Sequence, residues 1–100
     1  EKLRRLFDNL LTNALRHSRS LVSITAGHAK NGGIDIVFKD DGKGFTAQDL
    51  EHAFDYLYKG PHGGTGLGLS IAKIIVEELN GRISIGNADD GGAVVEVWFK

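Results

Sequence analysis

Gly63-Gly64-Thr65-Gly66-Leu67-Gly68-Leu69-Ser70 runs directly into an apolar series at helical spacing, Leu69, Ala72, Ile75, Val76 and Leu79. Glycines set among small and apolar residues ahead of a helix let bare backbone N–H groups approach an anion without interference from Cβ atoms. The run fits a phosphate site, and it fits a plain turn. It does not fit a P-loop, because no Gly-Lys-Ser/Thr closes it and Lys73 falls a full turn too late. A dinucleotide fingerprint is excluded on similar grounds, since Pro61 and not an apolar strand precedes it. The helix that follows is expected over Leu67 to Asn80, with Asn80-Gly81 as its stop.

Working outward from this run, Arg82 to Gly86 and Val94 to Phe99 alternate apolar and polar residues around a turn and read as a hairpin. On the other side, residues 55 to 64 hold Tyr56, Tyr58, Lys59, Pro61 and His62 among several glycines, a loop suited to covering a site. Lys59 and His62 could approach phosphate there or simply face solvent. Thr46 with Asp49 three residues on forms a capping arrangement for a short helix carrying Leu50, Ala53 and Phe54. Before it, Leu21 to Ala26 alternates as a half-buried strand and Ile34 to Lys39 as a second strand, a hairpin with a loop from Gly27 to Gly33 that turns at Gly32-Gly33. The second strand ends in Asp40-Asp41-Gly42-Lys43-Gly44-Phe45. A carboxylate at a strand end can accept from a ligand amine while the glycines admit a flat ring, although Asp-Gly is also a common turn.

The first element is a helix over residues 2 to 17, with Leu3, Leu6, Phe7, Leu10, Leu11, Ala14 and Leu15 at three- and four-residue steps. Asn9 and Asn13 stack one turn apart at the edge of this stripe, Arg16 continues their line toward solvent, and His17 turns back toward the apolar side. Asparagine costs helix propensity, so the pair is either a solvated edge or a set of amide oxygens for a hard cation, with Arg16 beside them for phosphate. The stripe begins at Glu1 with no lead-in or cap residue. The chain is therefore expected to start near an element boundary of a larger protein, with upstream elements missing. Two hairpins and three amphipathic helices give an α/β two-layer sandwich: one mixed, largely antiparallel sheet covered on one face by three helices.

One hundred residues with 41% apolar content and a net charge of -1 form one small domain with one core. No run is long and apolar enough for a membrane span, and no signal-like segment opens the chain. The absence of cysteine removes disulfides and thiol chemistry and is compatible with an intracellular protein. Near-neutral charge argues against nucleic-acid binding, and the arginines at positions 4, 5, 16 and 19 read mainly as a solvated helix face.

In order, the chain carries Asn9-Leu-Leu-Thr-Asn13-Ala14-Leu15-Arg16-His17, Asp40-Asp-Gly42-Lys-Gly44-Phe45, Phe54-Asp-Tyr-Leu57-Tyr58, Gly64-Thr-Gly66-Leu-Gly68-Leu69 and Gly91-Gly92-Ala93. These resemble the N, G1, F, G2 and C-terminal glycine elements of the catalytic ATP-binding domain of two-component sensor histidine kinases. The wider superfamily, with its Bergerat ATP-binding fold, includes the Hsp90, gyrase and MutL ATPases. The resemblance covers residues 3 to 99. It implies that Asp40 reads the adenine amine, with Gly42 and Gly44 shaping the pocket. By the same resemblance Asn13 is the main Mg2+ ligand and Asn9 its neighbour, Arg16 touches phosphate, and His17 lines the nucleotide. Gly64, Thr65, Gly66, Leu67 and Gly68 match the polyphosphate loop, with Lys59 a basic residue of the lid.

The implied activity is protein-histidine kinase: ATP and Mg2+ bound here, the γ-phosphoryl passing to a histidine on a separate dimerisation domain of the same protein, and a response regulator downstream. No such acceptor motif surrounds His17, His28, His52 or His62, so the isolated chain is expected to show little or no autophosphorylation. Neither nucleic acid nor membrane contact is expected, and the implied location is cytoplasmic, including as the cytoplasmic end of a membrane-bound sensor. Where the water-activating ATPases of the superfamily have a glutamate, this chain has Asn9, and an amide takes no proton near neutral pH. That disfavours the rival readings as an ATPase or a serine kinase. A regulatory pseudokinase module is the other rival, supported by the short interval from Tyr58 to Gly64. Further departures are Leu57 for a second phenylalanine, and Asp41 and Lys43 where asparagine and proline are common.

Overall fold

The computed structural model describes residues 1–56, 58 and 68–100. Helix α1 (Lys2–His17) is followed by strands β1 (Val22–His28) and β2 (Ile34–Asp40), helices α2 (Ala47–His52) and α3 (Gly68–Glu78), and strands β3 (Arg82–Asn87) and β4 (Ala93–Phe99). The strands form one sheet in the order β1-β2-β4-β3, antiparallel at every described pairing. The sandwich, its element order and its three helices agree with the expectation from sequence, and the sheet is antiparallel throughout where a mixed one was allowed for.

Alternation along β2 and β4 sends Phe38, Val95 and Val97 to the helix side, where they meet Leu6 and Leu10 of α1 and Leu69, Ala72, Ile75 and Val76 of α3. Both helices thus present a buried row to one face of the sheet, and Phe38 is fully enclosed. Phe7 adds an edge-on contact, its ring centroid 5.5 Å from that of Phe38.

The helix ends follow local chemistry. Glu1, not expected to cap, in fact caps α1 by accepting from the Leu3 amide at 3.0 Å. Thr46 and Asp49 complete a reciprocal capping box on α2. Helix α3 stops two residues before the expected Asn80. Asn80 itself adopts a left-handed φ of 61°, and the Gly81 amide returns to the Val76 carbonyl at 2.8 Å, which closes the helix.

Two sequence expectations are corrected. Strand β1 forms, but it is exposed along nearly its whole length instead of half-buried, because α1 lies over β2 and α3 over β3. The apolar stripe of α1 likewise splits: Leu6, Leu10 and Ala14 are buried, whereas Leu3, Phe7, Leu11 and Leu15 form a parallel exposed row.

Replacing Phe38 by Ala removes the largest enclosed side chain and should lower unfolding free energy by about 3–5 kcal/mol, a large share of a small domain's stability. Leu15→Ala, at a position 58% exposed, should change it by no more than about 0.5 kcal/mol. Urea unfolding of the two variants checks both, and equal losses would contradict this assignment of the core.

Candidate functional site

The end of β2 is the centre of the site. Asp40 is buried, and its Oδ1 accepts from the Gly42 amide at 2.8 Å and from the Ala93 amide at 3.4 Å. Among the described residues, Oδ2 has no hydrogen-bond partner. One oxygen therefore fastens the loop to the start of β4, leaving the other as an acceptor for a donor outside the fold.

The glycines beside Asp40 are there for close approach. A Cβ on Gly42 would land on the His17 carbonyl oxygen, and one on Gly92 would land on the carbonyl oxygen of Asp40. Gly44 combines a φ of +81° with the Gly91 carbonyl and Asn87 against its Cα. Asn87 then locks the loop from outside, its Oδ1 accepting from the Phe45 amide at 2.7 Å and its Nδ2 donating to the Phe45 carbonyl at 2.9 Å.

Facing this loop is the last turn of α1. Arg16, His17, Arg19, Gly42, Lys43 and Gly44 line an open cleft of about 180 Å³. Of the residues expected from sequence, the fold thus brings Arg16, His17, Gly42 and Gly44 to one cleft, next to Asp40. The ion pairs of the described residues lie elsewhere, so Arg16, Arg19 and Lys43 leave the cleft cationic.

Asn9 and Asn13 lie half-buried one turn apart on α1, as the helical spacing requires. The Asn9 Nδ2 is buried and makes no hydrogen bond among the described residues. An orphaned buried donor costs about 1–3 kcal/mol, so the fold itself gains nothing from an amide at this position. Two amide oxygens fit a hard cation that keeps water and phosphate oxygens as its other ligands, the habit of Mg2+. Among the described residues, no group of three His, Cys, Asp or Glu is arranged to hold a metal by itself. Gly68 is the first residue of α3, while Lys59, Gly64, Thr65, Gly66 and Leu67 lie outside the described residues, as do Leu57 and His62.

Sequence reasoning missed two contributors, Asn87 and Asp41. Asn87 carries no local signal beyond its place at a strand end. Asp41 accepts from the Arg19 amide at 2.8 Å and from the Ser20 hydroxyl at 2.7 Å, tying the α1 exit to the loop. The Ser20 amide, then its hydroxyl, hold the Asp41 carboxyl well below the usual carboxylate range, with desolvation opposing. Asp49, besides capping α2, accepts from the Tyr58 hydroxyl at 2.7 Å. Desolvation and this acceptor push the Tyr58 hydroxyl up to about 12.

The whole chain, residues 1–100, matches the family of histidine kinase-, DNA gyrase B- and HSP90-like ATPases. The chain belongs to this family. Sensor histidine kinase YvrG of Bacillus subtilis is 36% identical to it over 104 residues, covering 97% of this chain and 18% of YvrG. Among solved structures, the mycobacterial sensor histidine kinase MprB superposes with a TM-score of 0.87 at 24% identity, over 98% of this chain and 71% of that one. Full-length ShkA in complex with AMPPNP gives a TM-score of 0.85 at 23% identity, over 98% of this chain and 21% of that one. The chain is thus a histidine-kinase-type catalytic ATP-binding domain and spans less than a quarter of the length of YvrG. Among the described residues, no helix is long and apolar enough to cross a membrane.

On the rim of this ATPase domain, the Asp55 carboxylate lies 2.8 Å from His52 Nδ1 and holds the imidazolium above its ordinary 6.5; Glu51 adds to the effect and desolvation opposes it. A raised folded-state pKa means that this contact stabilises fully below the ordinary value and is lost as pH rises through the raised one. An NMR titration of the ring protons should therefore place His52 above 6.5 and Asp55→Asn should bring it down. An Asp55→Asn protein that titrates like the unsubstituted chain would contradict the pairing.

Proposed function

We propose that this domain binds ATP with Mg2+ and donates the γ-phosphoryl group to a histidine on a separate dimerisation domain of the same protein, from which a response regulator is phosphorylated in turn. The observation that carries the reading is Asp40. Its Oδ1 is committed to the fold, its Oδ2 has no partner among the described residues, and a cationic cleft lies beside it. A carboxylate there accepts from the adenine amine and rejects a guanine, whose 6-oxo group presents a second acceptor. The bare Cα atoms of Gly42 and Gly44 let the loop pack on the His17 and Gly91 carbonyls, which shapes the backbone wall beside the base.

Arg16 reaches toward the phosphates, and His17 lines the nucleotide at the same wall. Asn13, with Asn9 one turn away, would hold Mg2+ through amide oxygens, and the cation would supply charge neutralisation on the polyphosphate. The backbone amides of Gly64, Gly66 and Gly68, with the Thr65 hydroxyl and Leu67, hold the phosphate chain, and Lys59 adds a charge from the lid. The incoming histidine nitrogen then attacks the γ-phosphorus in line, the bond to the β–γ bridging oxygen breaks, and ADP leaves. Asn9 takes no proton from water, so hydrolysis is slow and transfer to the acceptor is the productive route. ShkA, which shares the fold, is in complex with the ATP analogue AMPPNP, and that supports the nucleotide class.

The acceptor is supplied in trans to this domain, so the domain alone shows little or no autophosphorylation. The exposed row of Leu3, Phe7, Leu11 and Leu15, together with an open β1, supports a catalytic unit completed by upstream elements. Its place of action is the cytoplasm.

Calorimetric titration with ATP and ADP tests the pocket: Asp40→Ala should abolish binding, and Asn13→Ala should remove most of its Mg2+ dependence. Mixing the domain with phosphoacceptor helical domains and Mg2+-ATP should then give acid-labile, base-stable phosphate on the acceptor. Unchanged titrations for Asp40→Ala would contradict the pocket, and phosphate released without any acceptor would contradict the transfer.

A further inference from the structure

Resting on the nucleotide reading of the cleft, we propose that Asp41 is a positioning residue that sets the width of the nucleotide cleft by fastening the exit of α1 to the loop after β2. Asp40 and Asp41 are neighbours with opposite duties. Asp40 holds the amides of Gly42 and Ala93, whereas the Asp41 carboxylate spans to Arg19 and Ser20 in the connector before β1. Its Oδ1 accepts from the Arg19 amide at 2.8 Å and the Ser20 amide at 3.1 Å, and its Oδ2 accepts from the Ser20 amide at 3.2 Å and the Ser20 hydroxyl at 2.7 Å. The Asp41 amide in turn donates to the Leu21 carbonyl at 3.2 Å. One residue thus grips three consecutive residues of the connector between α1 and β1.

The next residue makes the grip matter for ligand. Gly42 is pressed on the His17 carbonyl so closely that no Cβ fits between them. Arg16, His17 and Arg19 form one wall of the cleft, and Gly42, Lys43 and Gly44 form the other. The separation of the two walls is set where they touch, by the Gly42 contact and the Asp41 bonds. Releasing the bonds lets the α1 exit move and carries Arg16 and His17 away from the loop. The donors gripped by Asp41 lie on exposed residues, where water replaces a lost acceptor. Fold stability is therefore largely kept when the grip is lost, and ligand placement is what suffers.

The test is ATP affinity in the presence of Mg2+, with urea unfolding run on every variant. Asp41→Ala should weaken binding about tenfold, equivalent to about 1.4 kcal/mol of binding free energy. Asp41→Asn keeps an acceptor for the two amides and offers a donor to the Ser20 hydroxyl, so it should restore affinity to within about threefold of the unsubstituted chain. Because Asp41 acts through the wall that carries Arg16, Asp41→Ala should add little further loss on an Arg16→Ala background, a non-additivity absent from an independent structural role. The role is overturned if Asp41→Ala binds as tightly as the unsubstituted chain, if Asp41→Asn is as weak as Asp41→Ala, or if the full loss persists on Arg16→Ala. No ATP binding by the unsubstituted chain would overturn the nucleotide reading and this role together, whereas binding that Asp41→Ala leaves untouched overturns this role alone.

Discussion

The Oδ1 atom of Asp40 holds three parts of the chain together: the end of β2, the loop at Gly42 and the start of β4 at Ala93. A buried carboxylate is costly unless hydrogen-bonded, and these two amides satisfy one of its oxygens while bringing the segments into contact. The close packing then dictates residue type. Side chains at Gly42 or Gly92 would collide with the carbonyls of His17 and Asp40, so the backbone itself forms the wall at this point. The site follows from that wall, because a surface of bare backbone beside one carboxylate oxygen suits a flat ring with a donor on its edge.

Electrostatics divide the loop into two halves. Asp40 and Asp41 are adjacent acids, yet each is met by donors from a different direction, Gly42 and Ala93 for one and Arg19 and Ser20 for the other. Arg16, Arg19 and Lys43 then give the cleft a positive lining, with no acid paired to them among the described residues. Cations left unpaired at a cleft favour an anionic guest, and the half-buried Asn9 and Asn13 supply neutral oxygens suited to a cation that travels with it.

Periodicity made the sandwich legible: a 3.6-residue repeat marked α1 and α3, a two-residue repeat marked the strands, and Asn80-Gly81 announced the left-handed turn that ends α3. Exposure was less legible. Alternation in β1 says which side chains share a face, not whether a helix covers that face, and the stripe of α1 records apolar character without naming what lies against it. The candidate site was visible where its residues sit in short motifs, as with Asp40, Gly42 and Gly44, or at helical spacing, as with Asn9, Asn13 and Arg16. The grips of Asp41 on Ser20 and of Asn87 on Phe45 span 21 and 42 residues of chain. No local pattern encodes such partners, which is why both residues read as ordinary turn residues.

The central claim is that Asp40 reads a base from inside this knot of backbone. Backbone-amide NMR of the domain, titrated in parallel with ATP and GTP in Mg2+, tests it at the atoms concerned. ATP should shift the Gly42 and Ala93 amide resonances, whose shared carboxylate would also meet the base, and GTP at the same concentration should leave them in place. Equal shifts with both nucleotides, or ATP shifts that spare Gly42 and Ala93, would contradict it.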